Sequence, residues 1–349
     1  MDHEPGSAET TAHITMQDVA RRAGVSAQTV SNVVNGRSAR VGAETTQRVV
    51  EAINDLGYRL NQSARSLRKG RTGIVGLGLP LLALEYYGEL ADRLADRFAA
   101  HGVRMVVENT GGALTAEVES LAASHLETYD GFILAVAASE SADLNVIAPS
   151  KPIVLLGERA LSARFDHVVM DNRGGGRLAT EALLARGARS IVALGGATEE
   201  GDSVETLRTR GYLDAHEAVG VPVRPDLIVD SGLHIADGYH HVRALLDAGT
   251  PFDGIFALTD ANAMGAVRAL NEDGRRIPGE VQIIGFDNVT GGRFHTPALS
   301  TIEPGNEEMA DAIVDLMLRR LSGAGLGSPQ RIMSAASLVL RETTRDALG

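Results

Sequence analysis

Between residues 16 and 56, apolar side chains recur at helical spacing in three short runs. Val19, Ala20 and Ala23 share one face of a first helix, which Gly24 breaks. Ser26 suits an N-cap. Val30, Val33 and Val34 form the inner stripe of a second helix, and Asn35-Gly36 ends it, because both residues tolerate the left-handed conformation of a helix stop. A third helix is predicted from Ala43 to Leu56, with Val49, Val50, Ile53 and Leu56 as its buried stripe and Gly57 as its stop. Two short helices joined by a tight turn and braced by a third are a helix-turn-helix.

From Ile74 onward the pattern changes. The apolar strands "GIVGLGL", "VRMVVEN", "DGFILAVA" and "KPIVLLG" alternate with the amphipathic stretches "YYGELADRLADRFAAHG" and "VESLAASHL". A second such set begins near Asp171. There the helices "GGGRLATEALLARGA", "LRTRGYLDAHEAVG", "ADGYHHVRALLDAG" and "ANAMGAVRALNEDG" alternate with the strands "SIVALGG", "DLIVDS", "GIFALTD" and "VQIIGFD". The chain crosses back near residues 297–303. It then adds a helix, "EEMADAIVDLMLRRLSG", and a last strand, "SLVLRETT". Such alternation predicts two α/β lobes, each a doubly wound parallel sheet with helices on its faces.

The resulting division is a disordered leader at 1–12, an all-α helix-turn-helix domain at 13–59, a hinge helix or linker at 60–73, and a two-lobed α/β body at 74–349. The first lobe takes about 74–170 plus 300–325, and the second about 171–299 plus 326–349. The leader has neither a basic start nor an apolar core, so it does not read as a signal peptide. No apolar run approaches the roughly 20 residues of a membrane span.

Charge sharpens this division. The whole chain carries −12, yet residues 13–73 hold ten Lys/Arg against four Asp/Glu, a net of +6, and residues 74–349 carry −15. A basic head on an acidic body points to nucleic acid as the partner of the head. There is no cysteine, which excludes disulfides, thiolate metal sites and cysteine nucleophiles and fits a reducing cytoplasm.

With Val30, Val33 and Val34 inward, the second helix turns Ala27, Gln28, Ser31 and Asn32 outward. The amides of Gln28 and Asn32 can pair with adenine in the major groove. Thr29 and Ser31 can hold phosphate oxygens, and Ala27 can meet a thymine methyl. Thr15 and Ser26, at the starts of the two helices, complete the set in the head. In "LNQSARSLRKGRTG", Asn61 can cap a short helix that carries Ala64, Arg65, Arg68 and Lys69. Basic side chains there suit phosphates. Leu67 is an apolar residue in this basic stretch. It reads either as packing on a neighbouring domain or as a wedge into a minor-groove base step.

"ITMQDVARRAGVSAQTVSNVVNG" followed by "LGYRLNQSARSLRKGRTGIVGL" resembles the lactose-repressor (LacI/GalR) family of bacterial transcription regulators. In the body, "VVMDNRGGGRLATEALLARGARSIVALGG", "LRTRGY", "DGIFALTDANAMGAVRAL", "VQIIGFDNV" and "LVLRETT" extend the resemblance over nearly the whole chain. It implies a periplasmic-binding-protein-like body with an effector cleft between its lobes. It also implies that Ala27, Gln28 and Asn32 read bases, and that Leu67 enters the minor groove at the operator centre. For the effector, it implies Arg208, Asp287, Tyr86 and Tyr87, with Asp260 serving either ligand or fold. Asp171 and Asn172 read as structural. The chain departs from the pattern at Asn32, where many relatives have arginine, at Leu60, where proline is usual, and at Leu233, where several offer a stacking aromatic.

Other chemistries find little support. "GLGLPLL" lacks the third glycine of a dinucleotide fingerprint, and there is no phosphate-binding lysine loop and no G-x-S-x-G elbow. His240 and His241 are adjacent on a helix and point apart, so no metal is expected, and neither is any cofactor. Gly174 to Gly176 suit close helix packing better than phosphate binding. The expectation is a cytoplasmic, homodimeric, non-enzymatic repressor. Its partners are near-palindromic double-stranded operator DNA and a small effector of the carbohydrate class, with no membrane. The alternatives left open are a solute-binding protein without a DNA role, an α/β enzyme acting on sugars, and an activator built from the same parts.

Overall fold

The computed structural model describes residues 14–34, 41–58, 71–140, 143–144, 147–159, 164–199, 201–323 and 327–347. The expected leader, the Asn35-Gly36 stop and the linker positions Asn61, Ala64 and Leu67 lie outside the described residues. The chain divides into two compact units, residues 1–70 and 71–349.

The first unit contains α1 (Met16–Ala23), α2 (Ala27–Val34) and α3 (Ala43–Leu56). A capping box starts α1: the Thr15 hydroxyl accepts from the Asp18 N–H, while the Thr15 N–H donates to the Asp18 carboxylate at 2.9 Å. Gly24, at φ +66°, closes the helix, and only glycine enters that region without strain. Val19, Val30 and Val49 are fully buried together, with Ala20, Ala23 and Ala52 filling the gaps. Each buried valine contributes roughly 1.5–3 kcal/mol. The inner stripe of α3 differs from the expectation at one place. Val50 is 40% exposed, and Ala52 takes its place in the core. Val49 and Ala52 are three apart and share a face, whereas Val50 is turned about 100° away from Val49.

The second unit opens with β1 (Ile74–Leu79), α4 (Glu85–Ala100), β2 (Arg104–Asn109), α5 (Leu114–Ser120), α6 (Ala123–Leu126), β3 (Gly131–Ala135), β4 (Ile153–Leu156) and β5 (Asp166–Met170). It continues with α7 (Asn172–Ala185), β6 (Ile191–Leu194), α8 (Val204–Val219), β7 (Ile228–Val229), α9 (Ile235–Asp247), β8 (Gly254–Ala257), α10 (Asp260–Glu272), β9 (Gln282–Phe286), α11 (Thr290–Phe294) and β10 (Ser300–Glu303). α12 (Asn306–Ser322), β11 (Arg331–Ser334) and β12 (Ser337–Val339) complete it.

Two six-stranded sheets result, in the orders β11-β5-β4-β3-β1-β2 and β12-β10-β9-β8-β6-β7. The described pairings are all parallel except β12 against β10. Strands such as Phe132–Leu134 and Ile283–Phe286 are buried on both faces, as parallel sheets covered by helices require. Residues 72 and 73 are tied into this unit, because the N–H groups of Thr72 and Gly73 donate to the Asp130 carboxylate at 2.6 and 2.7 Å.

The lobes exchange their C-terminal pieces differently from the sequence pattern. β10 pairs with β9, so residues 300–303 belong to the second lobe, and Ile302 sits in its core with Phe286. α12 packs on the first lobe through Met309, Ile313 and Met317. β11 pairs with β5, so residues 331–334 belong to the first lobe. A strand's lobe is set by the ladder it joins, and this partner choice leaves no trace in local periodicity.

Candidate functional site

The strands of both sheets end at a shared cleft, where open α/β sheets place ligands. Three adjoining pockets of about 90, 410 and 240 Å³ occupy it. The first lobe contributes Leu84, Tyr86 and Tyr87 from the start of α4, Val136 after β3, and Leu156, Gly157 and Glu158 at the end of β4. The second lobe contributes Val204 and Arg208 from α8, Leu233, Thr259 after β8, and Asp287 after β9.

Arg208 is 3% exposed. Its Nε donates to Asn172 at 2.8 Å, one Nη to the Leu258 carbonyl, and the other Nη to the Met170 sulfur at 3.7 Å. Its guanidinium carbon lies 3.5 Å over the Phe286 ring. The close approach of α7 and α8 sets this position. A Cβ on Gly176 would lie 2.3 Å from the Arg208 carbonyl oxygen, and one on Gly211 would lie 2.1 Å from that of Arg173. The glycine run therefore serves helix packing, and Asn172 supports Arg208. Asp171 accepts from the Gly174 N–H at 2.8 Å and caps α7.

Asp287 faces Arg208 across 3.5 Å. Burial raises its carboxyl to about 7, with Arg208 pulling the other way. Its backbone is unusual, with φ +114° at Asp287 and +53° at Asn288. Non-glycine residues at such angles are strained, and strain of this kind clusters at ligand sites. Five hydrogen bonds hold the corner: Asp287 N–H to the Ile302 carbonyl at 2.9 Å, Asn306 Nδ2 to the Asp287 carbonyl at 2.9 Å, Asn288 N–H to the Thr301 hydroxyl at 3.3 Å, Asn288 Nδ2 to Glu303 at 2.8 Å, and Arg341 to the Asn288 amide oxygen at 2.6 Å.

Tyr86 and Tyr87 stand edge to face with centroids 5.1 Å apart. The Tyr86 hydroxyl is buried and has no hydrogen-bond partner among the described residues. Burial also raises the acid strength threshold of both phenols well above the ordinary tyrosine value, so they stay protonated donors.

The sequence leaves Asp260 open between ligand and fold, and its contacts favour the fold. It is 1% exposed and is not among the residues that line these three pockets. One carboxylate oxygen accepts from Thr301 at 2.6 Å and the other from the Val289 N–H at 2.9 Å. A residue at the first turn of α10, behind its own strand, reaches the neighbouring strand and not the cavity. Glu158 is the residue the sequence did not single out. It is buried at the cavity wall, accepts from the Met170 N–H at 2.9 Å, and is pushed toward its neutral form by desolvation. Its place just past the last residue of "KPIVLLG" was the available signal.

On α2, the Ser26 hydroxyl accepts from the Thr29 N–H at 3.1 Å and lies 2.9 Å from the Thr29 hydroxyl. Ala27 and Gln28 are exposed, and Ser31 and Asn32 are half-buried. The Gln28 amide donates to the Asn32 amide oxygen at 3.3 Å, so the two residues expected to read bases stand side by side. Thr15 is engaged in its capping box.

Among the described residues, no group of three or more His, Asp or Glu side chains could hold a metal ion, and no helix is long and apolar enough to cross a membrane.

Residues 15–61 match the family described as bacterial regulatory proteins, lacI family, and residues 180–344 match the periplasmic binding protein-like domain. A ribose operon repressor from Halalkalibacterium halodurans is 32% identical over 95% of this chain and 97% of its own length. A solved complex of the transcriptional regulator CelR with cellobiose is 28% identical, covers 95% of this chain and 99% of its own, and superposes with a TM-score of 0.67. The lac repressor dimer bound to operator and the anti-inducer ONPF is 25% identical over the same shares, with a TM-score of 0.75.

Proposed function

The chain belongs to the LacI family of bacterial regulatory proteins, and from that membership we propose that it is a transcriptional repressor whose grip on operator DNA is set by a small ligand in the cleft of its body. Its head reads the operator through Ala27, Gln28 and Asn32, with Thr29 and Ser31 on phosphates. Two copies read a near-palindromic site, since a two-fold protein matches a two-fold duplex. The reaction it controls is transcription in the cytoplasm, and it performs no catalysis of its own.

The observation that carries the ligand half is the pairing of Arg208 with Asp287 at the mouth of two sheets, beside the unpartnered Tyr86 hydroxyl. A guanidinium fork, a carboxyl group and two phenols are suited to the hydroxyls of a sugar or sugar derivative. The relatives named for ribose and crystallised with cellobiose support that class. Ligand shifts the closure of the two lobes and so the affinity for DNA. The coupling is reciprocal: operator changes ligand affinity by the same factor.

Selecting duplexes from a random library with the full chain, then titrating the selected site with and without sugars, tests this reading. A dyad-symmetric site, bound less tightly as salt rises and altered by one sugar, is the expected result. Failure to select any duplex would favour a solute-binding protein. Increased transcription from a reporter carrying the site would favour an activator.

A further inference from the structure

Two Asp-Gly pairs hold equivalent places in the two lobes. Gly131 opens β3 and Gly254 opens β8, and each of these strands lies beside the first strand of its lobe, β1 or β6. The aspartate before each glycine reaches back to the chain entering that neighbour. Asp253 accepts from the N–H groups of Arg189 at 2.9 Å and Ser190 at 2.8 Å, just ahead of β6. Asp130 accepts from the N–H groups of Thr72 at 2.6 Å and Gly73 at 2.7 Å, just ahead of β1, and from the Thr72 hydroxyl at 3.1 Å.

The two clamps differ in what they hold. Ahead of Arg189 lies α7, which is fixed independently: Leu183 and Leu184 sit in the core of the second lobe, and a Cβ on Gly176 would collide with α8. Ahead of Thr72 lies the linker to the head. Residues 71–73 are its described end, and Asp130, 8% exposed, ties their backbone to the body. Arg71 adds a hydrogen bond to the Leu321 carbonyl in the last turn of α12, and the Gly73 carbonyl accepts from the Arg104 N–H at 2.9 Å. A linker end fixed in advance narrows the orientations open to the head, so less freedom is lost when DNA binds. With two heads on one dimer the effect counts twice, because the second head binds from an effective concentration that the tether sets.

Resting on the operator-binding role of the head, we propose that Asp130 is a positioning residue for DNA recognition. Its carboxylate fixes the point where the linker leaves the body. Asp253 performs the same local task in the second lobe with no consequence for DNA.

The test compares Asp130→Ala with Asp253→Ala in the full chain. Each is read by thermal melting, by hydrogen exchange at the amides of residues 72 and 73, and by affinity for the duplex that the wild-type chain selects, against a scrambled duplex. Both variants are expected to melt below wild type. Asp130→Ala alone frees the two amides and weakens the selected duplex about tenfold. Binding of the scrambled duplex, held by phosphate contacts without a fixed register, stays unchanged. Thr72→Val keeps the carboxylate, removes one of its bonds and weakens the selected duplex about two- to threefold, which carries the test where Asp130→Ala does not fold. Wild-type operator affinity in Thr72→Val, or in a folded Asp130→Ala with freed amides, overturns the inference. Amides that stay protected in Asp130→Ala, or an equal loss of affinity in Asp253→Ala, overturn it too. All of these leave the repressor reading standing. A wild-type chain that selects no duplex overturns that reading and this inference with it.

Discussion

The guanidinium of Arg208 lies 3.5 Å from the carboxylate of Asp287, and both groups are buried at the wall of a cavity. Removing one member of a buried pair strands the other. Arg208→Ala is therefore expected to cost about 3 kcal/mol in the ligand-free protein, the low end for such a loss, because Asp287 can shed its charge by taking a proton. Arg208→Lys does not rescue it, since an ammonium cannot reach Asn172, Leu258 and Asp287 in one fork. Urea denaturation gives the stability, and ligand titration is expected to show at least a tenfold loss. Wild-type affinity in Arg208→Ala would remove this residue from the site.

Asp287 makes the pair sensitive to pH. Its carboxyl sits at about 7 in the folded chain against 3.8 for the free group. The folded state thus binds the extra proton between pH 4 and 7, and stability from this group falls as pH rises through that window, by on the order of 4 kcal/mol. Arg208 from α8, Asp260 from α10 and Glu303 are the ionisable groups that act on it. Asp287→Asn should lose this pH dependence. Unchanged difference curves between wild type and variant would contradict the assignment.

His167 works in the opposite direction. It is 2% exposed on β5, and burial, with Arg331 adding to it, depresses its imidazole to about 4. Between pH 6.5 and 4 the unfolded chain takes the proton first, so stability from this group is present above 6.5 and lost on acidification, by on the order of 3 kcal/mol. In His167→Gln the acid limb of the stability profile should become shallower, which denaturation at pH 4.5 and 7.5 measures.

Tyr86 separates binding from folding. Its buried hydroxyl has no partner among the described residues. Tyr86→Phe should raise stability by about 1 kcal/mol, because an unsatisfied polar group is removed. It should also weaken ligand about tenfold. A variant that loses stability and keeps its affinity would mean that the hydroxyl serves the fold.

In the head, Gln28 and Asn32 share a hydrogen bond that base contact must exchange. Gln28→Ala and Asn32→Ala should each cost about 1–3 kcal/mol against the selected operator, with relaxed preference at one base pair and stability unchanged within about 0.5 kcal/mol. Because the amides touch, the double variant should lose less than the two losses added together. Thr15→Ala should instead lower helix stability by about 1 kcal/mol through its cap. Binding to scrambled duplex separates the two kinds of effect.

The fold was legible wherever local pattern decides it. Val19, Val30 and Val49 mark the head's core because helical spacing puts them on inward faces. The alternation of strands and helices marks two lobes for the same reason. Val50 misled because a valine beside a buried valine carries the same local signal while pointing elsewhere. β10 and β11 were assigned to the wrong lobes because strand partnership is a long-range choice, fixed by which ladder closes. In the site, Arg208 and Asp287 could be placed by resemblance. Asp260 resembles them in residue type, and the choice between ligand and fold could not be read from it, because that depends on where its oxygens turn, which is to Thr301 and Val289. Glu158 went unnoticed because a lone acid after a strand has no motif around it.

β11 and β12, two residues apart, each form the last edge strand of a different sheet. For a polypeptide emerging from the ribosome this sets an order of events. The strands up to β5 and up to β10 are made long before their last neighbours. Neither lobe can be finished until residues 331–339 are released, and then both are finished within moments of each other. A nascent chain arrested before Arg331 would present the apolar strands β5 and β10 as sheet edges in place of the more exposed β11 and β12, each able to recruit a foreign strand. Translation through that short stretch is thus the step that converts an aggregation-prone intermediate into a complete receptor.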